Sequence, residues 1–126
     1  MIVFRIDKAS GVATYVQLIH QVQQALRLGI VGVGDRLPTA REVVAVTAIN
    51  PNTVHKAYRE LEREGLVEAR PGLGTFIRRS IAHPQATVDS PLGRELTTWM
   101  RAAHAAALSR DDVEALVKAV LDDTFH

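Results

Sequence analysis

No cysteine occurs in the 126 residues, which excludes disulfides and thiolate metal sites but leaves the compartment open. No run approaches the ~20 apolar residues that a membrane span requires. The start, Met1-Ile2-Val3-Phe4-Arg5-Ile6-Asp7, has neither the basic leader nor the apolar core of a signal peptide. A soluble, cytoplasmic protein with no membrane partner is expected. The five histidines, at 20, 55, 83, 104 and 126, fall on separate segments with no His-x-x-x-His or His-Glu spacing, so no metal is expected. There is no nucleophile elbow and no phosphate loop, because Gly72-Leu73-Gly74 lacks the rest of a nucleotide fingerprint. The expectation is a binding protein without a cofactor rather than an enzyme. Internal repeats and low-complexity tracts are also missing.

What is there fits one ordinary domain, or a small domain with an appendage. Apolar residues make up 47% and charged residues 23% of the chain, which is the globular range and not that of disorder. The net charge of +1 divides unevenly. Residues 1–80 hold eleven Lys or Arg against seven Asp or Glu, a balance of +4, and residues 81–126 hold four against seven, a balance of −3. A basic front that meets a polyanion and an acidic back with another task follow from that split.

Ile2, Phe4 and Ile6 alternate as a short strand or extended arm would. From Thr14 the period turns helical, with Tyr15, Leu18, Ile19, Val22, Ala25 and Leu26 inward, Gln17, His20, Gln21, Gln24 and Arg27 opposite, and Gly29 as the stop. Residues 30–36 read as a loop. Thr39 then opens a short helix of about Ala40 to Val46 through a capping box with Glu42, with Val43, Val44 and Val46 available for packing. Asn50 caps the next helix and Pro51 takes its first position. Its inner stripe is Val54, Ala57, Tyr58 and Leu61, and Gly65 ends it. Leu66–Arg70 and Thr75–Arg79 read as strands around the turn Pro71-Gly72-Leu73-Gly74. Ser80 to Asp89 is a linker. Ser90 and Pro91 then start one helix, faced by Leu92, Leu96, Trp99, Met100, Ala103 and Ala107. Ser109 and Asp112 start another, faced by Val113, Leu116, Val117, Val120 and Leu121. The short connection at Leu108 makes the two an antiparallel hairpin. The expected fold is mainly α with a small β wing: a winged helix-turn-helix over 1–80, then a linker and a two-helix hairpin over 81–126.

The second helix of such a motif offers its N-terminal residues to the major groove of double-stranded DNA. Asn52, Thr53, His55 and Lys56 lie there, with side chains able to pair with adenine, guanine or a thymine methyl. Arg41 is long enough to reach a base or a phosphate beside them, and helix N-termini add backbone donors. Gly72 and Gly74 let the wing backbone approach the neighbouring groove, with flanking arginines on phosphate. The full candidate set is Arg36, Thr39, Arg41, Asn50, Asn52, Thr53, His55, Lys56, Arg59, Arg70, Gly72, Gly74 and Thr75. Arg36 is equally open to a local ion pair, and Tyr58 is read as core. Glu60, Glu62 and Glu64 are read as a solvated face. In the tail, Leu92, Leu96, Trp99, Met100, Ala103, Val113, Leu116, Val117, Val120 and Leu121 form apolar stripes that a lone hairpin cannot bury. They fold back on the domain or, as expected here, pair with a second copy in a homodimer. Trp99 and Met100 have two readings, packing residues or the lining of a small-molecule effector pocket; no effector is identified.

The run Asp35-Arg36-Leu37-Pro38-Thr39-Ala40-Arg41-Glu42, the helix from Asn50-Pro51-Asn52-Thr53-Val54 to Glu64-Gly65-Leu66, and Gly74-Thr75-Phe76 together strongly resemble the GntR family of bacterial transcription regulators. The Asn-Pro-Asn-Thr-Val start and the short tail resemble its YtrA subfamily. The resemblance covers roughly residues 1–80. It implies a dimer that binds an inverted-repeat operator, tail helices that supply much of the dimer contact, and repression of a nearby operon. That operon is often one for an ABC transporter and often includes the regulator's own gene. It gives Arg41 a base or phosphate contact, and gives Asn52 to Lys56 the reading of the groove. Pro51 and His55 stand where many relatives carry arginine, and Leu73 where the wing is commonly basic, so those contacts do not carry over. The alternative is a winged-helix adaptor that binds protein. Relatives fused to an aminotransferase-like domain exist, but 126 residues leave no room for one.

Overall fold

The computed structural model describes residues 2–125. The chain forms two compact units, one running to Thr87 and the other starting at Val88. The first holds α1 (Thr14–Arg27), α2 (Ala40–Thr47), α3 (Pro51–Arg63), β1 (Val67–Arg70), β2 (Gly74–Ile77) and a 3₁₀ turn at Pro84–Ala86. The second holds α4 (Pro91–Ala105) and α5 (Arg110–Thr124). Among the described residues no helix is long and apolar enough to cross a membrane.

The core of the first unit is aliphatic. Leu18, Val22 and Leu26 of α1 meet Val54, Ala57 and Leu61 of α3, with Leu37, Val43, Leu66, Val67 and Ile77 closing the sides. These residues recur at helical spacing, so each helix turns one continuous stripe inward. The helix ends follow local chemistry. Thr39 Oγ1 accepts the Glu42 amide at 3.1 Å, and Asn50 Oδ1 accepts the Asn52 amide at 2.8 Å. At the C-termini of α1 and α3, Gly29 and Gly65 take φ +70° and +78°. The Ile30 amide then returns to the Ala25 carbonyl, and the Leu66 amide to that of Leu61, which is the Schellman closure.

Several details depart from the sequence-based expectation. The Thr39 capping box forms only its first half, because Glu42 Oε1 pairs with Arg36 Nη2 at 3.2 Å instead of reaching back. Val46 faces outward, 67% exposed, and only Val43 of that trio is buried. The end of the 30–36 loop is a third edge on the wing. The Gly34 amide donates to the Ile77 carbonyl, Ile77 to Asp35 and Leu37 to Thr75, with Arg36 bridged to Phe76. β2 stops at Ile77, after which the Arg78 and Arg79 amides both turn onto the Leu66 carbonyl. The residue 2–6 arm is extended but is no strand: Ile2 and Phe4 are buried, and its backbone is held by side chains of α1. Gln21 bonds both the amide and the carbonyl of Arg5, at 3.0 and 2.6 Å, and Gln17 bonds both of Asp7, at 2.9 Å each.

In the second unit Ser90 Oγ accepts the Gly93 amide at 3.0 Å. Ser109 and Asp112 complete a reciprocal capping box. Ala107 lies past the end of α4 and not on its apolar face. It takes φ +64°, and the Leu108 amide returns to the Ala103 carbonyl at 3.1 Å, a Schellman turn built without glycine. The first half of α4 shares a groove with the second half of α5, while Met100 and His104 share one with Arg110 and Val113. The two helices are therefore antiparallel.

Candidate nucleic-acid interface

α3 carries the outward face. With Val54, Ala57, Tyr58 and Leu61 buried, Asn52, His55, Lys56 and Arg59 are left exposed and Thr53 half-buried at one edge. The helix is fixed from two sides. Tyr58 Oη donates to the Pro38 carbonyl at 2.6 Å, tying the middle of α3 to the residue before the Thr39 cap. Burial holds that phenol well above its ordinary pKa, and the nearby Glu42 carboxylate adds to the shift. On the wing side, Glu62 Oε2 accepts the Ala69 amide at 2.8 Å. A cleft of about 120 Å³ between α3 and the wing is lined by His55, Tyr58, Arg59, Glu62, Ala69 and Thr75.

The expected contact residues separate into two groups. Arg41 on α2 and Asn52, His55 and Arg59 on α3 are exposed, and among the described residues their side chains make no hydrogen bond or ion pair within the protein. Five others are already engaged. Thr39 and Asn50 spend their side-chain oxygens on helix caps. Arg36 pairs with Glu42, which realises its local ion-pair reading, although with Glu42 and not Asp35. Arg70 pairs with Glu68 at 2.7 Å and lies 4.3 Å from the Phe76 ring centre. Lys56 Nζ sits 3.9 Å from the ring centre of Tyr15 on α1, a cation–π contact. Nothing in the sequence pattern flagged Tyr15 as more than a stripe residue.

The wing is an antiparallel pair in the register Val67 to Ile77, Glu68 to Phe76, Ala69 to Thr75 and Arg70 to Gly74. The Leu73 amide bonds the Arg70 carbonyl at 2.9 Å, and Gly72 at the third turn position takes φ +74°. Proline followed by a residue at positive φ is the signature of a type II turn. The tip residues Pro71, Gly72 and Leu73 are exposed. In the tail, Leu92, Leu96, Trp99, Met100, Leu116, Val120 and Leu121 are exposed, Val113 and Val117 half-buried and Ala103 buried. A groove of about 450 Å³ runs between Leu96 and Trp99 on one side and Leu116, Val120 and Phe125 on the other. Among the described residues no cluster of His, Asp and Glu has the arrangement of a metal site.

The model of the family described as "Bacterial regulatory proteins, gntR family" matches residues 14–77, from the first residue of α1 to the last of β2. The chain belongs to the GntR family. It is 47% identical over 73 residues to the HTH-type transcriptional repressor YtrA of Bacillus subtilis, a match that takes in 58% of this chain and 56% of that protein. It is 34% identical to the HTH-type transcriptional regulator Rv1152 of Mycobacterium tuberculosis over 119 residues, 94% of each chain. Among solved structures it is similar to YtrA from Sulfolobus acidocaldarius, a GntR-family transcription factor, with 25% identity and a TM-score of 0.55 over 98% of this chain and all of that one. The AraR DNA-binding domain, solved in complex with its operator ORX1, shares the fold at 21% identity and a TM-score of 0.51, over 61% of this chain and 92% of that one. This GntR-family chain is thus a YtrA-like, mainly α winged helix-turn-helix transcriptional regulator, and its relatives are regulators and not enzymes.

Proposed function

We propose that this GntR-family regulator is a cytoplasmic, homodimeric repressor of a nearby operon, often transporter-linked and including its own gene, bound to an inverted-repeat operator. The observation that carries the DNA contact is the outward face of α3, where Asn52, His55 and Arg59 stand exposed and unengaged around a helix locked by Tyr58 and Glu62. A helix already locked in place spends no backbone order on binding, and side chains without a partner in the protein have no internal bond to give up. Asn52 is assigned to adenine and Arg41 to a guanine or an adjacent phosphate. His55 and Thr53 are assigned to the two edges of the reading face. Arg36 and Arg70, held by their carboxylate partners, serve the phosphates beside α2 and the wing. Gly72, Gly74 and Thr75 bring the wing backbone to the neighbouring groove.

The division of labour is a DNA-binding domain over 1–80 and a dimerising region over 81–126. The exposed stripes Leu92, Leu96, Trp99, Leu116, Val120 and Leu121 support self-association, since apolar patches of this kind on a soluble chain mark interfaces. Two copies related by a twofold axis place their α3 helices about one DNA turn, ~34 Å, or a multiple apart.

Selection of bound duplexes from a random DNA pool tests this reading, with Arg41→Ala and Asn52→Ala run alongside. An enriched inverted repeat that is lost or relaxed in the two variants is expected. Weak binding with no enriched sequence, unchanged by either substitution, would sink the assignment and direct attention to a protein partner.

A further inference from the structure

The outward face of α3 has two borders of different character. The wing border carries His55, Arg59 and Glu62, which share a cleft with Ala69 and Thr75. The opposite border faces α1, and there Lys56 reaches across so that its Nζ lies 3.9 Å from the centre of the Tyr15 ring. Tyr15 is itself half-buried and packed against the core, so the platform under the ammonium is fixed. Lys56 is exposed, and among the described residues its side chain pairs with no carboxylate. The charge is therefore displaced from the centre line of α3 towards α1, and it is not neutralised.

We propose that Tyr15 is a positioning residue that parks the Lys56 ammonium at the α1 border of the recognition helix, where it meets a backbone phosphate and reads no base. This rests on the reading of α3 as the groove-facing helix. A helix seated in the major groove presents its centre line to base edges and its borders to the two phosphate walls. Asn52 lies between the two borders, and Lys56 has been drawn towards the α1 one. An ammonium is a compact point charge that suits a phosphate oxygen and gains nothing from the flat geometry of a base edge. One face of the Tyr15 ring holds the cation while its remaining donors stay directed outward.

The test uses the full chain and two probes, the duplex enriched in the selection above and a random-sequence duplex of similar length, each titrated over about 50–200 mM salt. Lys56→Ala is expected to lower the slope of log affinity against log salt by about 0.9 for each lysine that meets the duplex, and to weaken both probes alike, the loss growing about 3.5-fold per lysine as salt falls from about 200 to 50 mM. The enriched sequence should stay the same. Tyr15→Leu should weaken both probes about two- to fivefold, the equivalent of an exposed cation–π contact, while Tyr15→Phe, which keeps the ring, should match the parent. In a Lys56→Ala background Tyr15→Leu should add nothing, which separates positioning from general loss of fold. A changed base preference at one position in Lys56→Ala with an unchanged slope would overturn the proposal. Equal losses from Tyr15→Leu with and without Lys56 would overturn the role of Tyr15. Failure of the parent protein to bind either probe in a salt-dependent way would instead overturn the functional reading itself.

Discussion

Replacing Tyr58 with phenylalanine removes one oxygen from the junction of the helix-turn-helix. That oxygen donates to the Pro38 carbonyl at 2.6 Å from a residue only 8% exposed, and Pro38 is buried as well. The variant keeps the ring packing but leaves a buried carbonyl without a donor, and water has no ready access to replace it. Net hydrogen-bond loss together with an unsatisfied acceptor costs about 1–2 kcal/mol. In a unit of this size each kcal/mol moves the melting temperature by some 4–8 °C, so thermal unfolding followed by circular dichroism resolves the change easily. Tyr58→Leu should lose more, because it also empties ring volume between α2 and α3. The phenol adds an alkaline signature. Its pKa is raised in the folded state by burial and then by Glu42, so its contribution is whole below the unfolded value near pH 10 and is lost as pH rises through the higher folded value. Phenolate absorbance from Tyr58 should therefore appear only with unfolding. A Tyr58→Phe protein that melts with the parent would refute the view that this bond clamps α3 to the start of α2.

Two further outcomes follow from the tail. Asp112 accepts the Ser109 amide and caps α5, and these bonds, the backbone one first, hold its carboxyl below the usual range; the helix content of the tail should be unaffected above about pH 4 and fall as pH drops through the lower folded value, a loss that Asp112→Ala should show already at neutral pH by circular dichroism. Val120→Asp places a charge on the exposed apolar face, where Val120 is 57% exposed; with the change present twice in a symmetric dimer the loss is about 3 kcal/mol or more, roughly a hundredfold in dissociation constant, and sedimentation that stays dimeric at low micromolar protein would count against the tail as the interface.

The helix starts were open to reading because capping is local chemistry. Thr39, Asn50, Ser90 and Ser109 each cap the helix whose start the sequence assigned to them, and Pro51 sits at the first turn of α3. Closures that depend on unusual backbone were hidden where no glycine marked them: Ala48 at φ +57° ends α2, and Ala107 at +64° turns the tail. Alanine rarely adopts that region, so no pattern announces it. The third edge of the wing escaped notice for a related reason, since Gly32 and Gly34 read as loop while the amides of Gly34 and Leu37 bond across to β2. Within the candidate site, residue types pointed to the face of α3 that the fold leaves exposed. Which side chains stand free was not legible, because that depends on partners distant in sequence, such as Glu42 for Arg36 and Tyr15 for Lys56.

Two of the four glutamines of α1 set the seat of the N-terminal arm. Gln17 and Gln21 are one helical step of four apart, a rise of about 6 Å, and they grip Asp7 and Arg5, which are two extended residues apart, about 6.6 Å. The lengths agree, so a helix side stands in for a neighbouring strand and each carboxamide plays the part of a peptide group. Such a ladder fixes phase as well as position. Sliding the arm by one residue would turn Ile2 and Phe4 out to solvent and misplace both carboxamide pairs together, so the arm has one seat on the domain and no neighbouring one. Inserting a single residue between Phe4 and Asp7 should unseat it, whereas a single polar substitution at Arg5 or Asp7 should leave it docked.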